Sequence, residues 1–231
     1  MIIHNTVVII IHNRTMASGT AANTPHFRPI CTQNDMRLGK NPEMKLFTLE
    51  YNYNNPNFNI VSILNMNIHN LLYEVNKDII ETIDIQPNID DPTEFNILYK
   101  FRDIGGDLGG LRTYMYVHTK VAKRFASNGN TEIIFTSKSV PFQHHSVLQQ
   151  QKYKLLEYPL YIQKFIYQEC GGDSTTSAAA AAAAANIQVL HMFKLKPDQE
   201  TELTVAMENA IGILIKKMYF RLKVAIESLR H

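Results

Sequence analysis

Apolar and polar residues alternate along several stretches of the chain, with the period of two that is typical of half-buried strands. The first such stretch, KLFTLEYNY, places Phe47, Leu49, Tyr51 and Tyr53 on one side. The turn-forming segment NNPN follows it, and residues 58–68 then alternate again. Two alternating stretches joined by a Pro and Asn turn predict a β-hairpin.

The apolar spacing changes to that of a helix over residues 69–83, which predicts a helix with one buried face. Three alternating stretches then follow within residues 94–140. The last two are separated by SNGN at residues 127–130, and Asn-Gly is a strong signal for a hairpin turn. Residues 94–140 are therefore predicted to form a three-stranded antiparallel meander.

The second half of the chain contains a helical pattern, an ambiguous segment and a long terminal stripe. Residues 144–157 have helical spacing, residues 158–169 fit a strand or a buried helix equally well, and residues 187–195 resemble a strand. From residue 200 onward apolar residues recur in steps of three and four, with acids near the start and bases near the end. This polarity suits the helix dipole and predicts a long C-terminal helix, although its first turns also fit a strand.

Together these elements predict an α+β fold, in which an antiparallel meander or sheet packs with a few helices, including the long C-terminal one. The expected divisions are an extended or partly disordered arm (1–43), an α+β core (44–170), a low-complexity Ala-rich linker (171–186), and a strand plus C-terminal helix (187–231). The linker contains eight consecutive alanines, too few to form a stable helix alone. The last division is expected to pack on the core or on a partner subunit.

Charge and cysteine content narrow the class of protein. The formal net charge of +2 excludes a globally basic nucleic-acid binder but leaves room for a local basic patch. The two cysteines, Cys31 and Cys170, lie far apart, so a disulfide framework is not expected. No apolar run reaches the roughly 18 residues of a membrane span, and the short VVIII segment is a poor secretory signal. An intracellular location in cytoplasm or nucleus is predicted, with a virion as the alternative.

The segment DIGGDLGGLR, residues 103–112, resembles a phosphate-binding loop only in its glycine content. Phosphate loops place a helix N-terminus directly behind the glycines, whereas here an alternating stretch follows. Gly106 and Gly109 have the spacing of a nucleic-acid-binding GXXG loop, but Asp107 between them would repel a phosphate backbone. The segment is therefore predicted to be a mobile loop between two strands.

The strands on either side of that loop carry cations and tyrosines on one face, if Phe95, Ile97, Tyr99 and Phe101 face the core. Bases stack on aromatic rings and phosphates pair with cations, so this combination is typical of single-stranded nucleic-acid binding. The candidate residues are Lys100, Arg102, Arg112, Tyr114, Tyr116, His118, Lys120, Lys123 and Arg124. The alternative is that a helix covers this face and makes the tyrosines part of the core.

The apolar stripe of the C-terminal helix is a second candidate surface. It could pack on its own sheet, pair with another subunit, or contact a membrane surface or nucleic acid. As an oligomer interface it would use Met207, Ile211, Leu214, Met218 and Leu222.

No catalytic, cofactor or metal site is predicted. His144 and His145 are adjacent, so their side chains diverge, and no third ligand lies at a suitable spacing. Nothing in the local sequence supports pairing either cysteine with a histidine for catalysis, and Asp90 and Asp91 lie beside a proline in a turn.

The sequence thus favours a non-enzymatic structural or protein-interaction protein that forms a homo-oligomer or a larger assembly, with no small-molecule ligand. Abundant Asn, Ile and Tyr are common in proteins from AT-rich genomes, including those of parasites, ciliates and large DNA viruses, which is a hint about the source. Because surfaces for contact are readable and chemistry is not, a viral assembly component is one form of this hypothesis. The alternative is a nucleic-acid-binding protein that uses the basic and aromatic sheet face. The third hypothesis is an enzyme whose site consists of scattered residues.

Overall fold

The computed structural model describes residues 27–103, 112–127, 129–168, 186–196 and 204–230. The first 26 residues, nearly all of the glycine-rich segment and the alanine run of the linker lie outside these ranges. The predictions made for those segments therefore stay predictions.

One sheet dominates the described residues, and it contains ten strands. The strands are β1 (Arg28–Gln33), β2 (Met36–Asn41), β3 (Leu46–Asn54), β4 (Ile80–Pro87), β5 (Glu94–Phe101), β6 (Arg112–Phe125), β7 (Asn130–Ser139), β8 (Tyr153–Leu155), β9 (Glu157–Gln168) and β10 (Asn186–Lys196). Their order is β1-β2-β3-β10-β9-β7-β6-β5-β4, with every pair antiparallel except β8, which pairs parallel with β6.

The predicted α+β class was wrong, because the sheet is far larger than the meander on which that class was based. Only a few helices accompany it within the described residues: a 3-10 helix at Ile60–Ile63, α1 (Asn67–Glu74), α2 (His145–Gln150) and α3 (Val205–Ser228). None of these helices is long and apolar enough to cross a membrane.

The three strands of the meander predicted for residues 94–140 are present as β5, β6 and β7, which are neighbours in the sheet. The β6–β7 turn is closed by the backbone N–H of Ala126, which donates to the carbonyl of Asn130 at 2.8 Å. Gly129 in this turn has a φ of +80°, a conformation that glycine adopts without strain.

The hairpin predicted for residues 44–68 was wrong in its second strand. β3 forms, but the following segment becomes the 3-10 helix and the start of α1. Asparagine side chains explain this outcome, because Asn55, Asn59 and Asn65 each accept a hydrogen bond from the backbone N–H two residues further on. Such local turns compete with strand pairing.

Both predicted middle helices are shorter than their sequence patterns. α1 ends at Glu74, and Asn76, which is fully buried, donates from Nδ2 to the carbonyls of Leu72 and Met218 at 2.9 and 3.2 Å. The chain then enters β4 instead of continuing as a helix. α2 ends before Lys152, whose φ of +64° turns the chain into β8.

Several strands lie where the sequence indicated something else or was ambiguous. The ambiguous segment 158–169 falls largely in β9, a central strand. β1 and β2 fall within the segment 1–43 that was predicted as an arm. β10 contains the strand predicted for residues 187–195 and lies between β3 and β9.

The main core lies between one face of the sheet, which we call the inner face, and the helices α1 and α3. On β3 the inner face carries Phe47, Leu49, Tyr51 and Tyr53, as the alternation predicted, and all four are buried. α3 packs across β2 and β3 and against α1. Its glycine, Gly212, allows a close approach, because a Cβ there would lie 3.1 Å from Cε1 of Phe47.

The apolar stripe proposed as an oligomer interface is directed largely into this core. Ile211, Met218 and Leu222 are buried within the chain itself and Leu214 is half-buried, while the side chain of Met207 lies outside the described part. The stripe therefore contacts the protein's own sheet.

Candidate functional site

A short row of polar residues crosses the apolar inner face of the sheet. The strand register aligns Leu49, His191, Gln163 and Phe135 as successive neighbours on β3, β10, β9 and β7. His191 and Gln163 are 0% and 1% exposed, so the row lies deep between sheet and helices. Polar side chains at such depth need hydrogen-bond partners, which makes their partners informative.

His191 lies at the centre of a group that we call the tyrosine cluster: Tyr51, Tyr53, Tyr161, His191 and Tyr219. Its Nε2 is 3.0 Å from Oη of Tyr51, and its Nδ1 is 2.7 Å from Oη of Tyr161. Tyr161 in turn hydrogen-bonds Tyr219, which links the sheet to α3. A neutral imidazole donates from one nitrogen and accepts at the other, so Tyr51 and Tyr161 take opposite hydrogen-bonding roles.

The tyrosine cluster is uncharged at neutral pH. Burial lowers the pKa of His191 to about 3, and burial raises the pKa of Tyr219 to about 12. Burial, and then the neighbouring phenols of the cluster, raise the pKa values of Tyr51 and Tyr161 well above their usual range. The cluster therefore offers hydroxyl and imidazole groups without a net charge.

A second histidine reaches the same region from α1. His69 Nδ1 lies 2.8 Å from Oη of Tyr99, and its ring packs against Phe95 and Phe135 with centroid distances of 5.6 and 5.8 Å. Burial lowers the pKa of His69 to about 4, so this ring is also neutral. Its Nε2 is buried and has no hydrogen-bond partner among the described residues.

Gln163 is the most unusual residue of the row. Both its Oε1 and its Nε2 are buried without a hydrogen-bond partner in the described part of the chain, and so is Oγ1 of Thr131. By contrast, the inner-face hydroxyls of Thr119 and Ser137 satisfy each other at 2.8 Å. Leaving a buried polar group unpartnered costs about 1–3 kcal/mol, so such groups in a folded protein call for an explanation.

His69 and Gln163, which carry unpartnered polar atoms, are both neighbours of Phe135. The His69 ring contacts Phe135, and Gln163 is the cross-strand neighbour of Phe135. We call His69, Gln163 and the tyrosine cluster the inner polar site. It combines hydrogen-bonding groups with aromatic surroundings and can hold a molecule that is mostly apolar but has a polar end.

The inner polar site was not among the sites predicted from the sequence. Tyr51 and Tyr53 were placed on the core side of β3, but Gln163 lay in a segment whose strand or helix character was unresolved. Once that segment is known to be a strand, Gln163 lies on the same face as Tyr161 and Phe165 and so points inward. A polar residue at an inward position of an alternating strand is the signal that could have found it.

The residues predicted to bind nucleic acid lie on β5 and β6, but their central tyrosine is covered. Tyr114 is 0% exposed, hydrogen-bonds His145 of α2, and packs with Leu98, Leu148 and Tyr153. The fold-back of α2 and β8 over this outer face makes Tyr114 a core residue, which was the alternative considered from the sequence.

Most of the remaining predicted residues contact groups of the protein itself. Lys100 and Arg112 lie 5.8 and 5.7 Å from the ring centroid of Tyr153, while Tyr116 packs on Phe142. Arg102 donates from Nε to the carbonyl of Lys77 at 2.7 Å, and His118 hydrogen-bonds Asn96 at 3.1 Å. Lys120 donates to Glu94 at 2.7 Å, and the ammonium of Lys123 lies over the ring of Phe125. Arg124 is exposed. The strand residues of this set lie on the outer side of the sheet except Lys123, which is the cross-strand neighbour of the buried Ile133 and so lies on the inner side.

Metal ligands do not converge in the described part of the chain. No group of three or more His, Cys, Asp or Glu side chains there could hold a metal ion. His144 is exposed, and His145 is engaged by Tyr114.

Sequence comparison gives no relatives, but the fold has clear counterparts. The chain matches no family model, and no curated protein matches it in sequence. Human STARD10 superimposes with a TM-score of 0.52 at 8% identity, over 87% of this chain and 72% of its own. Human StAR-related lipid transfer protein 5 gives 0.54 at 9% identity, over 89% and 86%. A STAR-related lipid transfer protein from Xanthomonas axonopodis gives 0.50 at 9% identity, over 87% and 97%.

The chain has a helix-grip fold like that of START domains. In this arrangement the long C-terminal helix lies against one face of a large antiparallel sheet, as α3 does here. At such low identity the likeness concerns the fold.

These matches overturn the predicted function. A structural or viral assembly role, a homo-oligomeric state and nucleic-acid binding were predicted, together with the absence of a small-molecule ligand, and these predictions were wrong. The structural neighbours are named for lipid transfer, which conflicts with the predicted absence of a small-molecule ligand and gives no support to assembly, oligomerisation or nucleic-acid binding. Those two names describe transfer of a lipid and no catalysed reaction.

Proposed function

We propose that this chain binds a lipid-like molecule between the inner face of the sheet and α3, as a carrier and not as an enzyme. The observation that carries the proposal is the amide of Gln163, which is buried in an aromatic environment with neither polar atom partnered in the described residues. A ligand's polar group at this position would satisfy the amide.

The surroundings of Gln163 suit the apolar body of such a ligand. Phe135 and Phe165 lie beside it on the inner face and pack edge to face with a centroid distance of 5.6 Å. Sites for small molecules are mostly apolar and contain a few polar groups that fix orientation, which describes this region.

The tyrosine cluster supports a role for α3 as one wall of the site. The Tyr161–Tyr219 hydrogen bond holds the helix against the strand that carries Gln163, only two residues from it. The likeness in fold to lipid transfer proteins is a second, independent support.

The proposal is tested by purifying the protein, extracting it with organic solvent and identifying the lipids released by mass spectrometry. In parallel, an apolar dye that fluoresces on burial is bound to the protein and displaced with a mixed lipid extract. We expect lipid to be recovered in near-stoichiometric amount and the dye to be displaced. Absence of both lipid recovery and dye displacement would contradict the proposal.

Gln163→Met provides the matched variant, because methionine has a similar size and lacks the amide. Its control is Gln188→Met on the neighbouring strand β10, where the glutamine is exposed on the outer face. The loss of hydrogen bonds predicts about ten-fold weaker lipid binding for Gln163→Met and unchanged binding for the control.

A further inference from the structure

The inner polar site carries no net charge, which limits the head groups that it can accept. The inference drawn from this rests on the proposed function. Its described members are phenols, an amide and two imidazoles, and burial keeps both imidazoles neutral by lowering their pKa values to about 4 and about 3. None of these described members carries a carboxylate, ammonium or guanidinium. The carboxylate of Glu227 acts on Tyr53 electrostatically, and it is engaged by Lys223 and by the backbone N–H of Asn54.

Three cations of the surrounding elements have partners elsewhere. Lys40 on β2 forms an ion pair with Glu208 of α3, and Arg221 of α3 pairs with Asp78. The buried Lys216 of α3 has its Nζ 3.2 Å from Sγ of Cys31 on β1. β1 and β2 lie at one sheet edge, across β3 and β10 from Gln163 on β9, so Lys40 and Lys216 do not supply a counter-charge beside it. Asp78, the partner of Arg221, lies just before β4 at the other edge of the sheet.

A charged head group would therefore lose its hydration without gaining a partner of opposite charge. Moving an ionised carboxylate or phosphate into such surroundings is far more costly than moving a hydroxyl or carbonyl that finds a hydrogen bond. The unpartnered atoms suit the second case, because Gln163 offers both N–H donors and a carbonyl acceptor. His69 Nε2 adds a donor or an acceptor according to its tautomer.

We propose that the ligand is a lipid with an uncharged polar group able to donate and accept hydrogen bonds, such as an alcohol or a primary amide, and that Gln163 selects it. Lipids whose polar group is a carboxylate or a phosphate are discriminated against at this position.

The test uses three ligands with the same sixteen-carbon chain: hexadecanol, hexadecanamide and palmitate, each delivered from cyclodextrin to the full chain at about pH 8, where a carboxyl is ionised. Displacement of the apolar dye measures binding. We expect the alcohol and the amide to bind at least about ten-fold more tightly than palmitate. Equal or tighter binding of palmitate overturns the inference.

The outcomes separate this inference from the proposed function. If palmitate or an anionic phospholipid binds best, the chain is still a lipid carrier, and only the neutral-ligand inference fails. If neither the three ligands nor the mixed lipid extract displaces the dye, both fail.

Gln163→Met tests the role of the amide. We expect it to fold with an unchanged or raised thermal midpoint, because it removes a buried polar group that lacks partners. It should also reduce the preference for hexadecanol over palmitate several-fold, whereas Gln188→Met retains the preference of the wild type. An undiminished preference in Gln163→Met would assign selectivity to other residues and overturn the role given to Gln163.

Discussion

The two faces of the sheet carry similar side chains with different consequences. On the inner face His191 hydrogen-bonds Tyr51 and Tyr161, and on the outer face His145 hydrogen-bonds Tyr114. Tyrosine and histidine are paired in both places, although His191 is fully buried and His145 only half-buried. The difference lies in which polar atoms lack a partner. Among the described residues, the buried side-chain atoms without a hydrogen bond belong to Thr131 and Gln163 on the inner face and to His69 of α1.

The covers of the two faces also differ in size. The inner face is covered by the 24-residue α3 and by α1, whereas the outer face receives the six-residue α2 and the three-residue β8. The buried residues Leu98, Tyr114, Leu148 and Tyr153 form what we call the outer cluster, which is small. The hydroxyl of Tyr153 donates to Glu81 at 2.8 Å. A small, fully satisfied cluster is typical of structural packing, while the larger core with unpartnered polar groups is the better candidate for binding.

The largest expected difference between the faces is in the free energy of unfolding. Phe135→Ala removes a fully buried ring that contacts His69 and Phe165, and we expect it to destabilise the protein by about 3–5 kcal/mol. Leu148→Ala in the outer cluster should destabilise the protein by about 2 kcal/mol. This is at the low end for buried leucine-to-alanine substitutions, because the short α2 can shift to fill the cavity. Guanidinium denaturation measures both, and equal losses would contradict the ranking of the two cores.

The second largest effect is expected at acid pH, where the two buried histidines of the inner polar site should lower the free energy of unfolding. Burial lowers the pKa values of His191 and His69 to about 3 and about 4, from 6.5, so the unfolded chain binds more protons between these values. Their contribution to stability is complete above pH 6.5 and is lost as the pH falls toward the folded pKa. The expected slope is about 1.4 kcal/mol per pH unit for each histidine.

The matched variants for this prediction are His191→Gln and His144→Gln. Denaturation midpoints measured from neutral to acid pH should show a flatter dependence for His191→Gln. The exposed His144 of the outer side provides the control, and its variant should follow the wild-type curve. A wild-type slope retained in His191→Gln would show that other groups cause the acid sensitivity.

Local patterns predicted strands well where alternation was clear and the turn chemistry was explicit. β3 and the three strands β5, β6 and β7 were found from alternation, and α3 was found from its continuous apolar stripe. The prediction of the second hairpin strand was wrong because asparagine side chains hydrogen-bond the nearby backbone and stabilise local turns. The alternation of apolar and polar residues carries no information about such hydrogen bonds.

The candidate site depends on non-local pairing, which a single sequence leaves undetermined. Alternation shows that Tyr114 and Tyr116 lie on one side of β6, but not that α2 returns to cover Tyr114. Likewise, nothing local brings His69 of α1 beside Phe135 of β7, or places Gln163 between His191 and Phe135. The likeness to START domains became visible only in the assembled sheet and helix.

The smallest expected contrast concerns single hydroxyl groups on the two faces. Tyr161→Phe removes the hydroxyl that joins His191 to Tyr219 of α3, and leaves Nδ1 of His191 without this partner in a buried position. We expect a loss of about 1–2 kcal/mol in unfolding free energy, because an unmade buried hydrogen bond is not replaced by water.

Tyr116→Phe is the counterpart on the outer face, where the hydroxyl lies 3.4 Å from Oε1 of Gln86 and water can replace this hydrogen bond. Its loss should stay below about 0.5 kcal/mol, as at most surface positions. Urea denaturation distinguishes the two, and a Tyr161→Phe protein as stable as Tyr116→Phe would mean that the tyrosine cluster does not hold α3 against the sheet.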